Sequence, residues 1–197
     1  MPSCRRWGWW MITWRIASVR TMTEGWRARV KILLTGKPGS GKTTTVRSVV
    51  ERLDLPAGGF YTEEVRQGRR RVGFRLVTLG GKAGMLAEVG GKGAAHIGRY
   101  RVDLRVLEEL GVASMQAAMQ ADELVVVDEI GPMELLSERF QAAAWAALEG
   151  PSPLLATIMS RPHPVADRMK RAPGVTLLKI TPANRESIVE DLLRRLA

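Results

Sequence analysis

The sequence is short of the residues that build disulfide frameworks and metal clusters. Cys4 is its single cysteine, and His96 and His163 are its two histidines. A lone thiol forms no intrachain disulfide, a four-cysteine zinc site is excluded, and a multi-histidine centre lacks its ligands. Nothing in this usage argues for an oxidising compartment, so a cytoplasmic protein is the expectation. No apolar run reaches the roughly 18 residues that a spanning helix requires, and no membrane partner is expected. An Asn-Lys-x-Asp stretch of the guanine-reading kind is also missing, so no base preference follows.

What is present fits one globular domain. The chain has 197 residues, 45% of them hydrophobic and 25% charged, enough for one sizeable core. Its net charge of +10 is unevenly spread. Residues 1–29 hold six arginines against Glu24, a net of +5, and the remaining residues carry 24 basic and 19 acidic side chains. Five of the six tryptophans lie in the first 26 residues. Arg15 interrupts the apolar stretch Trp7–Trp14 and no small-residue cleavage site follows, which argues against a secretory signal. Residues 1–28 are therefore read as a disordered leader outside the fold, with Met22 as an alternative start, and residues 29–197 as the domain. The basic excess admits a nucleic-acid partner without favouring one over a polyanionic small molecule. Nothing in the sequence fixes an oligomeric state.

Beyond the leader, strands alternate with helices. Val30–Thr35 is a short apolar, β-branched run that reads as a buried parallel strand. A helix follows through Val46, Val49 and Val50, and ends before Pro56. Phe60–Val65 and Arg71–Leu79 flank a turn at Gly68 and predict a hairpin. The glycine-rich stretch 80–98 predicts a mobile loop with one short strand at Met85–Val89. Asp103 caps a helix to about Gln120, and Glu123–Asp128 is a second buried strand. A helix at Ser137–Glu149, a strand at Pro153–Ile158, a short helix at Pro164–Arg171 and a strand at Val175–Ile180 come next. Thr181 and Pro182 predict the start of a last helix to Leu196. This order predicts an α/β fold with a mainly parallel sheet covered on both faces and an antiparallel hairpin at one edge.

Gly36-Lys37-Pro38-Gly39-Ser40-Gly41-Lys42-Thr43 fits G-x-x-x-x-G-K-[ST] in full. Glycines let the backbone wrap a phosphate, and successive N–H groups form an anion-binding nest. The helix that starts there adds unpaired N–H groups and a partial positive charge. Lys42 is expected on the β- and γ-phosphates, the Thr43 hydroxyl on Mg²⁺, and Thr44 on the α-phosphate. An apolar strand before the motif and a helix after it give the pattern its specificity.

The strand Leu124–Asp128 ends in two carboxylates, Asp128 and Glu129. It is expected beside the first strand, with Asp128 in the metal's outer shell. Glu129, just past it, can orient a water against the γ-phosphate and take its proton. Thr157, near the end of the third parallel strand, could sense that water or serve as a core hydroxyl. Arg99 and Arg161 lie in loops and could neutralise transition-state charge. Thr181–Arg185, after the last strand, could pass near the base.

At these residues the chain resembles a family, the small P-loop nucleoside-triphosphatases of the thermophile type, known in animals as cancer-related nucleoside-triphosphatase. The likeness includes Gly59–Arg66 (GFYTEEVR), Arg71–Phe74, Val77–Leu79, Gly98–Tyr100, Val102–Leu104, Asp128–Leu135 (DEIGPMEL), Leu155–Ile158 and Thr181–Arg185. It covers roughly Arg29 to Ala197. The resemblance implies a three-layer, RecA-like P-loop core and Mg²⁺-dependent hydrolysis of nucleoside 5'-triphosphates, such as ATP and GTP, to the diphosphate and phosphate. It implies broad base tolerance, with Lys42 and Thr43 on phosphate and metal, Asp128 on metal and Glu129 as base. The chain departs from the pattern at Pro132, where lysine is expected, and in its arginine- and tryptophan-rich leader. Two other functions fit the same core: a kinase for a small molecule or a nucleic-acid end, and a slow nucleotide-dependent switch.

Overall fold

The computed structural model describes residues 30–197, so the readings for residues 1–28 lie outside the described residues. The strands are β1 (Lys31–Thr35), β2 (Ala57–Gln67), β3 (Arg70–Thr78), β4 (Ala83–Val89), β5 (Ala95–Ile97), β6 (Tyr100–Val102), β7 (Leu124–Ile130), β8 (Leu154–Ile158) and β9 (Val175–Lys179). The helices are α1 (Lys42–Arg52), α3 (Glu138–Glu149), α4 (Pro164–Lys170) and α5 (Arg185–Leu196). Between β6 and β7 the segments Leu104–Val106, Leu107–Val112 and Ala113–Gln120 run on as one helix, α2, with a π-type stretch in its middle.

Apolar alternation along the buried strands sorts side chains onto two faces. Ile32, Leu34, Leu124, Val126 and Leu155 meet Val46 and Val49 of α1 and Val189, Leu192 and Leu196 of α5. Leu33, Val125, Val127, Leu154 and Ala156 point the other way, into a core with α2, α3 and α4 that includes Met115, Phe140 and Met169. The predicted three layers follow. Each fully buried leucine or isoleucine adds about 1.5–3 kcal/mol.

The strand order is β5-β6-β4-β3-β2-β7-β8-β1-β9. β2, β7, β8, β1 and β9 are parallel. The acidic strand β7 does not lie beside β1, the place expected for it. β8 lies between them, paired to β1 through Leu34 and Thr157 and to β7 through Val127 and Ala156. An apolar run marks a strand as buried but carries no signal for which buried strand is its neighbour.

The antiparallel region is also larger than a hairpin. β2 runs parallel to β7 as far as Tyr61, opposite Asp128, and continues to Gln67 paired with β3. β4, β6 and β5 extend the sheet outward from β3. The stretch 80–98 thus holds the predicted strand as β4, starting two residues earlier at Ala83, and supplies β5 where a mobile loop was expected. Gly93 allows this by close approach, since a Cβ there would lie 2.0 Å from the Val102 carbonyl oxygen.

Among the described residues, side-chain caps start two of the five helices, α2 and α3. Asp103 accepts from the Arg105 N–H at 3.0 Å and Ser137 from the Phe140 N–H at 3.1 Å. α5 starts later than predicted. Asn184 turns its carboxamide back, accepting from the Thr181 N–H at 2.8 Å and donating to the Lys179 carbonyl at 3.0 Å. That local bonding holds Thr181–Asn184 as a turn ahead of the helix.

Lys31 sits inside the otherwise apolar β1 and is 5% exposed. Its ammonium donates to the Ala147 carbonyl at 2.7 Å and to the Ser152 carbonyl, tying β1 to the C-terminal end of α3. Burial lowers its pKa to about 8. Lys31→Met leaves both carbonyls without that donor and is expected to cost roughly 2–4 kcal/mol. A shift of the urea midpoint measures it; an unchanged midpoint would show the clamp to be idle.

Candidate active site

The loop between β1 and α1 is shaped by close approach. At Gly36 a Cβ would lie 2.5 Å from the Ile180 carbonyl oxygen and 2.7 Å from Ser40 Oγ. Gly41, at φ +97°, is the residue at the head of α1, which has no side-chain cap and no acid in its first turn. The first N–H groups of α1 therefore have no carboxylate or hydroxyl competing for them, which leaves them available to an anion. Lys37, Pro38 and Gly39 are exposed, while Ser40 is buried with no partner for its hydroxyl. Lys42 is buried, and its ammonium donates to the Gly36 carbonyl at 3.3 Å.

β7 brings its two acids to this loop across β8. Glu129 Oε2 lies 3.9 Å from Lys42 Nζ. Asp128 is 1% exposed and accepts from the Thr157 hydroxyl at 2.5 Å. Burial raises the Asp128 pKa. The hydroxyls of Thr157 and Thr43, then Lys42 and Arg47, oppose that rise. Burial also raises Glu129, against the pull of Lys42 and with a further push from Asp128. Lys42, Thr43, Asp128, Glu129 and Thr157 therefore form one cluster, with Thr44 exposed on the rim.

Asp128 Oδ2 is buried without a hydrogen-bond partner, with the Thr43 hydroxyl close enough to influence its proton. A hydroxyl and an orphaned carboxylate oxygen beside a phosphate-binding loop suit a hard, oxygen-seeking cation that takes its remaining ligands from phosphate and water. Mg²⁺ fits that donor set.

The two loop arginines part ways. Arg99 donates to the Arg71 carbonyl at 2.9 Å and to the Tyr100 hydroxyl at 3.0 Å, in the β5–β6 turn. Three strands separate β6 from β7, which sets Arg99 away from the cluster. Arg161 is exposed in the loop leaving β8, at the same end of the sheet as Asp128 and Glu129.

Two neighbours were not singled out in the sequence. Arg47, one turn past Thr43, packs 3.9 Å over the Tyr61 ring and pairs with Glu63 at 2.8 Å. Glu134 is 2% exposed in the turn Glu134–Leu136. Burial pushes its pKa up to about 8, with Glu129 and Asp128 adding to the rise against hydrogen bonds from its own N–H and that of Gly131. An acid set between Met133 and Leu135 was the available signal.

The chain matches the model of the NTPase family (NTPase_1) over residues 31–193. The chain belongs to this family. The nucleoside-triphosphatase THEP1 of Thermotoga maritima is 40% identical over 164 residues, covering 83% of this chain and 94% of that protein. The cancer-related nucleoside-triphosphatase of Homo sapiens is 37% identical over 178 residues, covering 82% and 94%. The crystal structure of THEP1 from Aquifex aeolicus superposes with a TM-score of 0.78 at 37% identity, covering 85% of this chain and 99% of that one. With its NTPase relatives the chain shares a P-loop fold and is an enzyme that hydrolyses nucleoside triphosphates.

The buried acid makes a stability prediction. In the unfolded chain Glu134 ionises near 4.5, and in the fold near 8. Its favourable share is fully present below about pH 4.5 and is lost as pH rises through about 8. In Mg²⁺-free buffer the wild type should therefore lose more stability between pH 5 and pH 8.5 than Glu134→Gln. The difference should reach a few kcal/mol, at about 1.4 kcal/mol per pKa unit. Parallel stability curves would show that Glu134 does not hold its proton.

Proposed function

We propose that the chain hydrolyses nucleoside 5'-triphosphates to the diphosphate and inorganic phosphate, with Mg²⁺ bound and with little regard to the base. The reading is carried by one observation: the Glu129 carboxylate lies 3.9 Å from the Lys42 ammonium, so an acid from β7 faces the phosphate loop across β8.

In this reading residues Gly36–Thr43 wrap the β- and γ-phosphates with backbone N–H groups, and Lys42 donates to their oxygens. Thr44 donates to the α-phosphate. Thr43 and Asp128 would hold Mg²⁺, which when bound supplies positive charge against the phosphate oxygens. Thr157 fixes the Asp128 carboxylate through its 2.5 Å hydrogen bond. Phosphate binding draws Lys42 away from Glu129 and frees the carboxylate. Glu129 then orients a water in line with the γ-phosphorus and accepts its proton. The water oxygen bonds to phosphorus, and the bond to the β–γ bridging oxygen breaks with its electron pair on the diphosphate. A pKa raised by burial makes Glu129 a stronger base than an exposed carboxylate. Arg161, at the mouth, is the cation available to the charge that builds up on the phosphates.

Two variants separate binding from chemistry. Lys42→Ala is expected to weaken nucleotide binding at least tenfold. Glu129→Gln should bind as the wild type does and release phosphate from γ-labelled ATP at least a hundredfold more slowly. A glutamine variant with wild-type turnover would remove Glu129 as the base. Label passing to an added nucleoside or RNA end faster than to inorganic phosphate would replace hydrolysis with kinase chemistry.

A further inference from the structure

A cleft of about 500 Å³ opens between α1 and α5, beside the phosphate loop. Thr44 lies at its loop end, and Ser48 one helical turn further along α1. Arg52 and Glu190, paired at 2.8 Å, wall the far end. The size suits a small organic group. No aromatic ring lines it among the described residues, and of its two guanidinium planes that of Arg52 is taken up by Glu190, which leaves Arg185.

Arg185 is held in an unusual way. It is the first residue of α5, yet its side chain reaches over the phosphate loop. A Cβ on Gly41 would meet Arg185 Cδ at 2.8 Å and Nη1 at 3.3 Å. Gly41 therefore serves twice: it takes φ +97° and leaves the arginine room. Glu186 and Glu190 line the same cleft, but Arg185 forms no ion pair with either among the described residues. Its guanidinium is an unpaired plane between the loop and the cleft.

We infer that the nucleoside half of the substrate lies in the α1–α5 cleft, with the Arg185 guanidinium stacked on the base. The inference rests on the proposed phosphate site, because it follows the triphosphate outward from Thr44. The Ser48 hydroxyl faces the sugar and the apolar body of Val189 lies behind the base. A guanidinium plane stacks on any base through its π-face and reads none of its edges. Base tolerance then follows from this chain's own side chains.

Calorimetric titration with Mg²⁺ and three probes tests it: nonhydrolysable ATP and UTP analogues, and inorganic tripolyphosphate. Arg185→Ala should weaken the ATP analogue about tenfold and the UTP analogue about threefold, and change tripolyphosphate less than twofold. Arg185→Lys keeps the charge but loses the plane, and should bind the ATP analogue nearly as weakly as the alanine variant. Ser48→Phe, filling the cleft from α1, should abolish the advantage of both nucleotides over tripolyphosphate. An equal loss for all three probes would assign Arg185 to the phosphates and overturn the inference. Full rescue by lysine would overturn the stacking. If the wild type binds tripolyphosphate as tightly as the nucleotides, the cleft takes no nucleoside, while the phosphate site stands. If it binds none of the three, the phosphate site itself fails, and this inference with it.

Discussion

The site depends on one strand being in the way. Neighbouring strands lie about 4.8 Å apart, so the insertion of β8 sets β1 and β7 about 10 Å apart. A short acid at the end of β7 would not reach a phosphate held by the loop after β1. Two long side chains cross the gap instead, and Lys42 and Glu129 meet at 3.9 Å. The inserted strand also contributes. Thr157 of β8 pairs with Leu34 of β1 and donates to Asp128 of β7, so the same strand that separates the two halves of the site joins them.

That arrangement gathers charge where water is scarce. Asp128, Glu129 and Glu134 come from one seven-residue stretch, and burial raises all three pKa values. Lys42 and Arg47 are the cations that temper Asp128. Desolvated like charges work against folding, and the clamps elsewhere in the sheet help to offset them. Arg47 ties α1 to β2 through Glu63 and stacks on Tyr61, while Tyr61 lies in register with Asp128. The helix that begins at the phosphate loop is thus fastened to the strand beside the acids. A shift of one would be felt by the other.

How much of this was legible in the sequence varied with the kind of signal. β1, β7, β8 and β9 could be read because an apolar run bounded by polar residues has few other uses in a short chain. The phosphate loop could be read because its glycines, lysine and threonine each answer a separate need. The order of the strands could not, since burial on both faces looks the same beside any neighbour. β4 could be read from Met85–Val89, while β5 was hard to see because it is three residues long and Gly90, Gly91 and Gly93 ahead of it read as a loop. α5 began late because Asn184 bonded backward. Arg99 and Arg161 looked alike as loop arginines, and only the fold separates them, sending Arg99 to the far edge of the sheet.

The loop's readiness for a phosphate is a packing result as much as a motif. Gly36 is pressed against the Ile180 carbonyl, and Gly41 lies under Arg185. The segment after β9 therefore braces both ends of the loop, holding its N–H groups in place without a ligand. A loop fixed in that way loses little conformational freedom on binding, so more of the contact energy remains as affinity. The same bracing makes the two glycines irreplaceable for different reasons. A side chain at Gly36 would collide with backbone, which cannot move without shifting the strand end. One at Gly41 would have both to adopt a left-handed φ and to displace the arginine. Loop and brace form one unit, and the sequence between β9 and α5 belongs to the site as much as the motif does.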